Sequence, residues 1–495
     1  MNTGKATLHR LPTGVPGLNE ILGGGLPEFS FNIIAGPPGS GKTTLAHQIM
    51  FALATPERPA IYFTVLGEPP LKMLRYQQQF DYFDSDKING AIRFINLTED
   101  LASGALDKVL DRIVAEVEAH APGLVFVDSF RSVLLASQSE PHSFYSLQQF
   151  VQQLGMTMTS WQAMTFLIGE YFNESDANPV FTVADGLIWL RQSVQRNSAV
   201  RKLEIVKMRG QATLPGLHTF RIGTAGVQVF PPANLAIPAD RPPMGHGNER
   251  LSTGVEGLDD MMGGGIPRGY SLLLAGPSGS GKSVLASAFL AEGARVGETG
   301  VIAAFEDRPN RSRGRAVFDL IDSGRIGVID TRASELSVDE IGMLLIAEIH
   351  RLKATRVVID SLSGFEMSLA PTFREDFRES MARMVSALSS TGATVVMTSE
   401  LEDRYDDLRF SPYGTAFLTD AIIVQRYIEV DSRLERVMAV VKVRASAHSN
   451  ELRLFHIDSA GIKIGERLEN YEGLLGGRPT RRKALRGAPP SDGDD

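Results

Sequence analysis

Four short runs in the first half of the chain are almost wholly apolar: Phe31 to Ala35, Ala60 to Val65, Leu124 to Val127 and Phe166 to Ile168. Four matching runs follow in the second half, at Leu272 to Ala275, Val301 to Phe305, Val357 to Ile359 and Thr394 to Met397. Longer stretches of helical character separate them. Strands that do not alternate apolar with polar residues are buried on both faces, so the pattern predicts a mainly parallel sheet between helices. The expected fold class is α/β, made twice.

The duplication is explicit in the letters. Leu11 to Ala46 lines up without a gap on Leu251 to Ala286, with about half the positions identical. A period of about 240 residues is far longer than a solenoid unit, so each copy should own a core. Between the copies, Phe230 to Asn248 is rich in Pro, Ala, Gly and Asn and suits an exposed connector. The expected domains are 1–240 and 241–473. A tail, 474–495, carries a basic run and an acidic end and should not pack.

Composition narrows the class. A chain of 495 residues with 43% hydrophobic and 22% charged residues is ordinary for a globular protein, and no run approaches a membrane span. The polar opening Met1 to Arg10 leads straight into the repeat, leaving no secretory leader, and points to a cytoplasmic protein. With no cysteine there are no disulfides, thiolate metal sites or cysteine nucleophiles. A formal net charge of −8 argues against nucleic acid as a partner.

The chemistry lies in two glycine-rich loops, Gly36-Pro-Pro-Gly39-Ser40-Gly41-Lys42-Thr43 and Gly276-Pro-Ser-Gly279-Ser280-Gly281-Lys282-Ser283, each directly after an apolar strand and before a helical run. Such a loop wraps phosphate oxygens in backbone N–H groups, its lysine reaches the β and γ phosphates, and its last hydroxyl binds Mg²⁺. The expected nucleotide contacts are Gly36, Gly39, Ser40, Gly41, Lys42, Thr43 and Thr44 in one half and Gly276, Gly279, Ser280, Gly281, Lys282 and Ser283 in the other. A metal site also needs a carboxylate at a neighbouring strand end, which Asp128 and Asp360 supply, with Thr43 and Ser283 as their metal-binding hydroxyls.

Hydrolysis requires a group that orients or deprotonates water. Glu306, with Asp307 beside it, follows a strand in the second half and is the candidate base. The equivalent strand in the first half runs into Leu66-Gly67, with Glu68 one position further on. Either Glu68 serves from a shifted backbone, or the first half holds nucleotide and hydrolyses it poorly. The second reading is preferred, because catalysis is sensitive to misplacement of about 1 Å.

With duplicated halves, paired loops and Val-Asp-Ser strands (Val127 to Ser129; Ile359-Asp360-Ser361 in the second copy), the chain resembles the KaiC family of RecA-type ATPases over nearly its whole length. Thr13-Gly14 with Gly23 to Gly25, and Thr253-Gly254 with Gly263 to Gly265, also match. The resemblance implies two tandem RecA-like P-loop NTPase domains that bind ATP with Mg²⁺. It further implies that Lys207 and Arg209, and Lys442 and Arg444, reach a neighbouring subunit's phosphates, and hence a homo-oligomeric ring, a hexamer in that family's pattern. The ending from Asn470 to Thr480 looks like the family's tail, which implies a KaiB-like or signalling protein partner. Family members autophosphorylate an adjacent Ser and Thr; the matching positions here are Ala416 and Phe417, which cannot accept phosphate. Ser411 and Thr415 are the remaining hydroxyls nearby, so Ser/Thr autokinase activity stays an open expectation. Two rival readings are a DNA-coupled ATPase, using the basic run Arg308 to Arg315, and a nucleotide-controlled scaffold with negligible turnover.

Overall fold

The computed structural model describes residues 8–65, 70–102, 106–130, 143–171, 179–195, 198–233, 249–305, 314–329, 331, 336–369, 377–401, 418–430, 432–467, 471–472 and 480–481. The chain divides into two compact units, Met1–Pro231 and Pro232–Asp495, at the head of the proline-rich connector and ahead of Asp240.

In the first unit the elements around the site are β1 (Phe31–Gly36), α1 (Lys42–Leu53), β2 (Ala60–Thr64), β3 (Ile92–Asn96), α2 (Leu106–His120), β4 (Leu124–Asp128), α3 (Ser143–Ser160), β5 (Met164–Glu170), β6 (Gly186–Gln195), β7 (Ser198–Met208), β8 (His218–Gly223) and β9 (Gly226–Phe230). They form a nine-stranded sheet in the order β9-β8-β7-β6-β1-β5-β4-β2-β3. The strands from β3 to β6 pair in parallel, and β6 to β9 continue the sheet as antiparallel hairpins.

The second unit repeats this plan. Its elements are β10 (Ser271–Gly276), α4 (Lys282–Arg295), β11 (Gly300–Ala304), β12 (Ile326–Ile329), α5 (Val338–Leu352), β13 (Arg356–Asp360), α6 (Phe377–Ser390), β14 (Thr394–Glu400), β15 (Ala421–Val430), β16 (Arg433–Val443), β17 (Arg453–Asp458) and β18 (Gly461–Arg467). The order is β12-β11-β13-β14-β10-β15-β16-β17-β18. These are two tandem RecA-like α/β domains. Each apolar run read from the sequence is a strand of one of the two sheets.

Successive residues on these strands enter different cores, which is why their pattern does not alternate. Ile34, Tyr62 and Phe126 pack with α1 on one face, while Ile33, Phe63 and Val127 join α2 and α3 on the other. Leu274, Ile302 and Val358 likewise separate from Leu273, Val301 and Val357. The antiparallel strands were not read individually from sequence. β16, for example, is exposed at its start and only buried towards its middle, so it lacks the uninterrupted apolar signature of the central strands.

Candidate functional site

In both units the central strand ends in the glycine-rich loop and the loop ends in a helix. Gly39 and Gly41 have φ of 73° and 102°, and Gly279 and Gly281 have φ of 74° and 104°, values that side chains rarely allow. Gly41 and Gly281 are the N-cap positions of α1 and α4. A Cβ on Gly41 would stand 2.6 Å from Ile222 Cδ1, and one on Gly281 2.5 Å from Ile457 Cδ1. The free amides of the first helical turn therefore face a concave loop, as an anion requires. Lys42 Nζ donates to the Pro37 carbonyl at 2.8 Å, and Lys282 Nζ to the Gly276 and Pro277 carbonyls at 2.8 Å each. Both ammonium groups are thus held over their own loops. The hydroxyl of Ser40 is buried without a hydrogen-bond partner, whereas Ser280 donates to Gln425 Oε1 at 3.0 Å.

The strand-end carboxylates lie beside the phosphate loops. Thr43 Oγ1 donates to Asp128 Oδ2 at 2.8 Å, and Tyr62 donates to the same oxygen at 2.7 Å. In the second unit Thr398 donates to Asp360 Oδ1, and Ser283 and Asp360 line one cleft. Burial raises the pKa of Asp128, opposed by the hydrogen bonds from Tyr62 and Thr43. Burial also lowers Lys42, opposed by the charges of Glu170 and Asp128. A hydroxyl beside a carboxylate fits a hard divalent cation that takes its remaining oxygens from phosphate and water. Among the described residues no group of three or more His, Cys, Asp or Glu side chains is placed to hold a metal ion by itself.

The second-unit cleft has a volume of about 460 Å³ and brings Lys282, Ser283, Asp360, Glu400 and Arg436 together along the loop. Glu400 and Arg436 were missed from sequence, as was Glu170, which acts electrostatically on Lys42. The signal for the glutamates was present. β5 and β14 both end in Glu, paired with Gly36 and Gly276, the last residues of the two loop-bearing strands. Arg436 lies over the ring of Tyr427 at 5.3 Å, a cross-strand pair that only the β15–β16 register reveals.

The Lys and Arg pairs lie elsewhere. Met208 pairs with Gly186, which neighbours Asn32 at the start of β1, whereas the loop leaves from the other end of that strand. At about 3.3 Å per strand residue this puts Lys207 and Arg209 on the order of 13 Å or more from their own phosphate loop. Lys207 Nζ donates to the Ala184 carbonyl at 2.6 Å, and Arg209 pairs with Asp185 at 3.2 Å. Lys442 and Arg444 repeat this with Thr419 and Asp420, at 2.5 and 3.2 Å. Neither pair belongs to the site of its own unit.

Several expected positions lie outside the described residues: Glu68 with Leu66 and Gly67, Glu306, Asp307, Ser411, Thr415, Ala416 and Phe417. So do the run 308–313, most of the connector and most of the tail. Among the described residues no helix is long and apolar enough to cross a membrane.

Fold and loops together define a P-loop nucleotide-binding protein of the RecA-like class, built twice in one chain. Comparison with known proteins narrows this: the KaiC ATPase family's model matches residues 11–234 and again 251–469, and the chain belongs to that family. It is similar to the circadian clock oscillator protein KaiC of Picosynechococcus sp. (strain PCC 7002), 26% identical over 488 residues that cover 96% of this chain and 93% of the relative. It is similar also to circadian clock oscillator protein KaiC 1 of Synechocystis sp. (strain PCC 6803), 25% identical with 96% and 92% covered. The KaiC of Rippkaea orientalis is 26% identical over 491 residues, with 96% and 92% covered.

Proposed function

We propose that this chain is a Mg²⁺-dependent ATPase that works as a homo-oligomeric ring, a hexamer on its family's pattern, and that its nucleotide state controls the docking of a partner protein. The observation that carries the reading is the second-unit cleft, where Lys282, Ser283, Asp360 and Glu400 converge on one phosphate loop. Lys42 and Lys282 grip the phosphates, and the loop amides neutralise their oxygens. Thr43 with Asp128, and Ser283 with Asp360, are the residues that would hold Mg²⁺, which when bound supplies charge neutralisation on the β and γ phosphates. Glu306 is the candidate to orient the attacking water in the second half. The first half lacks a matching carboxylate pair at its Leu66-Gly67 and is assigned to holding nucleotide and building the ring. The distance of Lys207, Arg209, Lys442 and Arg444 from their own loops supports their service to a neighbouring chain.

The DNA-coupled reading gains no support from the family match. A phosphorylation cycle on the usual acceptor pair is not proposed, because Ala416 and Phe417 carry no hydroxyl. The protein is read instead as a slow nucleotide-driven signalling ring, with coupling between nucleotide and partner that must be reciprocal.

The test is phosphate release by purified protein with Mg²⁺ and ATP, alongside assembly mass and protein-bound radiolabel. Turnover is expected to vanish in Lys282→Ala and Glu306→Gln and to persist in Lys42→Ala protein that still assembles, with no label on the protein. Turnover that survives Glu306→Gln, or label on Ser411 or Thr415, would overturn this division of labour.

A further inference from the structure

We infer that Tyr62 is a positioning residue for the metal carboxylate of the first site, a device that the second site does not share. The inference rests on the reading of that site as one for Mg²⁺ and nucleotide. Tyr62 is fully buried, and its hydroxyl donates to Asp128 Oδ2 at 2.7 Å, the oxygen that also accepts from Thr43 at 2.8 Å. Its ring is fixed between His47, stacked at 4.5 Å, and Phe126, stacked at 5.9 Å, with Phe94 tilted at 5.5 Å. The hydroxyl therefore has one place to go.

Packing alone does not demand a tyrosine here. Tyr62 pairs with Phe126, two positions before Asp128, and the residue in the equivalent register of the second unit is Ile302, which pairs with Val358 before Asp360. The fold accepts an aliphatic side chain at this place. Asp360 is held instead by Thr398, from the strand on its other side, where the first unit has Ile168. Thr43 is itself a candidate metal ligand, so Tyr62 is the partner of Asp128 with no metal role of its own. Two hydroxyls on Oδ2 fix the rotation of the carboxylate, and neither bond uses Oδ1. Groups that orient a ligand in this way tune metal affinity by about 10- to 100-fold.

The test uses the full chain carrying Lys282→Ala, so that the first site reports alone, with a fluorescent ATP analogue titrated in the presence and absence of Mg²⁺. Adding Tyr62→Phe, which keeps the ring stack, is expected to raise the Mg²⁺ concentration for half-saturation about tenfold, while metal-free analogue affinity stays within about twofold. In a chain also carrying Asp128→Asn, Tyr62→Phe should shift nothing further. An unchanged Mg²⁺ requirement, or an equal loss of affinity with and without Mg²⁺, would show that Tyr62 is only core. Absence of analogue binding to the Lys282→Ala parent itself would bring down the first-site reading, and this inference with it.

Discussion

Beneath the phosphate-loop helix of the first unit the sheet is aromatic. Phe94, Tyr62, Phe126 and Phe166 form a row, and His47 of α1 stacks on it. The same row in the second unit is Val328, Ile302, Val358 and Val396, and the helix offers Ser287, whose hydroxyl donates back to the Ser283 carbonyl at 2.7 Å. The loops above the two rows share their left-handed turns, with φ of 73° and 74° at Gly39 and Gly279 and of 102° and 104° at Gly41 and Gly281. An anion cradle is made of backbone, so only residues that permit its left-handed turns will serve. The layer below needs to fill volume, which several side-chain sets can do, and so it is free to acquire a second role. In the first unit that role is a hydroxyl on Asp128; in the second, Asp360 draws its hydroxyl from Thr398.

The largest effect expected concerns what the two units share. If Lys442 and Arg444 serve a neighbour, Lys442→Ala with Arg444→Ala should lower turnover at least about 10³-fold while nucleotide still binds. Mixing this chain with one carrying Lys282→Ala should restore part of the activity, because an intact loop then faces an intact Lys-Arg pair across some boundaries. No recovery on mixing, with subunit exchange shown by mass, would remove the trans assignment.

A smaller effect should set the units apart in acid. Neither ring nitrogen of His47 makes a well-formed hydrogen bond, and burial, opposed only by the Thr43 backbone, lowers its pKa to about 3. The unfolded chain takes up this proton near the ordinary value of 6.5 and the folded one does not. The stability that neutral His47 permits is therefore complete above pH 6.5 and is lost progressively as pH falls towards 3, by roughly 1.4 kcal/mol per unit and about 2 kcal/mol by pH 5. Tyr62 and Asp128 are the titratable groups behind the ring, and both are unchanged in a His47→Met chain. That chain should lose less melting temperature between pH 7.5 and 5 than the parent, by several degrees. Equal acid lability in both would show that His47 is charged or solvated in the folded protein. Ser287 offers no such liability to the second unit.

Much of this architecture was legible in the letters, for physical reasons. The central strands announce themselves because both faces are buried, and the loops because their glycines cannot be replaced without strain. Asp128 and Asp360 were readable as carboxylates that end apolar strands. What was hidden depends on register. Nothing in the run Ala60 to Val65 says that Tyr62 will lie beside Asp128, since the two are joined by a strand pairing and not by sequence. Arg436 reaches the second cleft from a strand that arrives by antiparallel hairpin, and Glu170 and Glu400 close strands whose ends were read only as far as Ile168 and Met397. Lys207 and Lys442 were legible as a repeated motif, but their remoteness from their own loops comes from strand direction alone.

The smallest effect is the one that closes the comparison. Thr398 is fully buried and its hydroxyl donates to Asp360 Oδ1, so Thr398→Val removes one donor from a buried carboxylate at nearly constant volume. A hydrogen bond into a charged acceptor is worth about 1.5 to 3 kcal/mol at most, and Asp360 keeps part of its setting, so a rise of about three- to tenfold in the Mg²⁺ needed for half-saturation is expected at the second site. The measurement uses a Lys42→Ala chain, in which only that site loads, and the same substitution in a Lys282→Ala chain should leave the first site unchanged. A shift of the first site instead would mean that the two metal sites are not independent. If Thr398→Val moves neither site, Asp360 is oriented by other contacts, and Tyr62 ceases to be one of two alternative solutions and becomes a feature of the first unit alone.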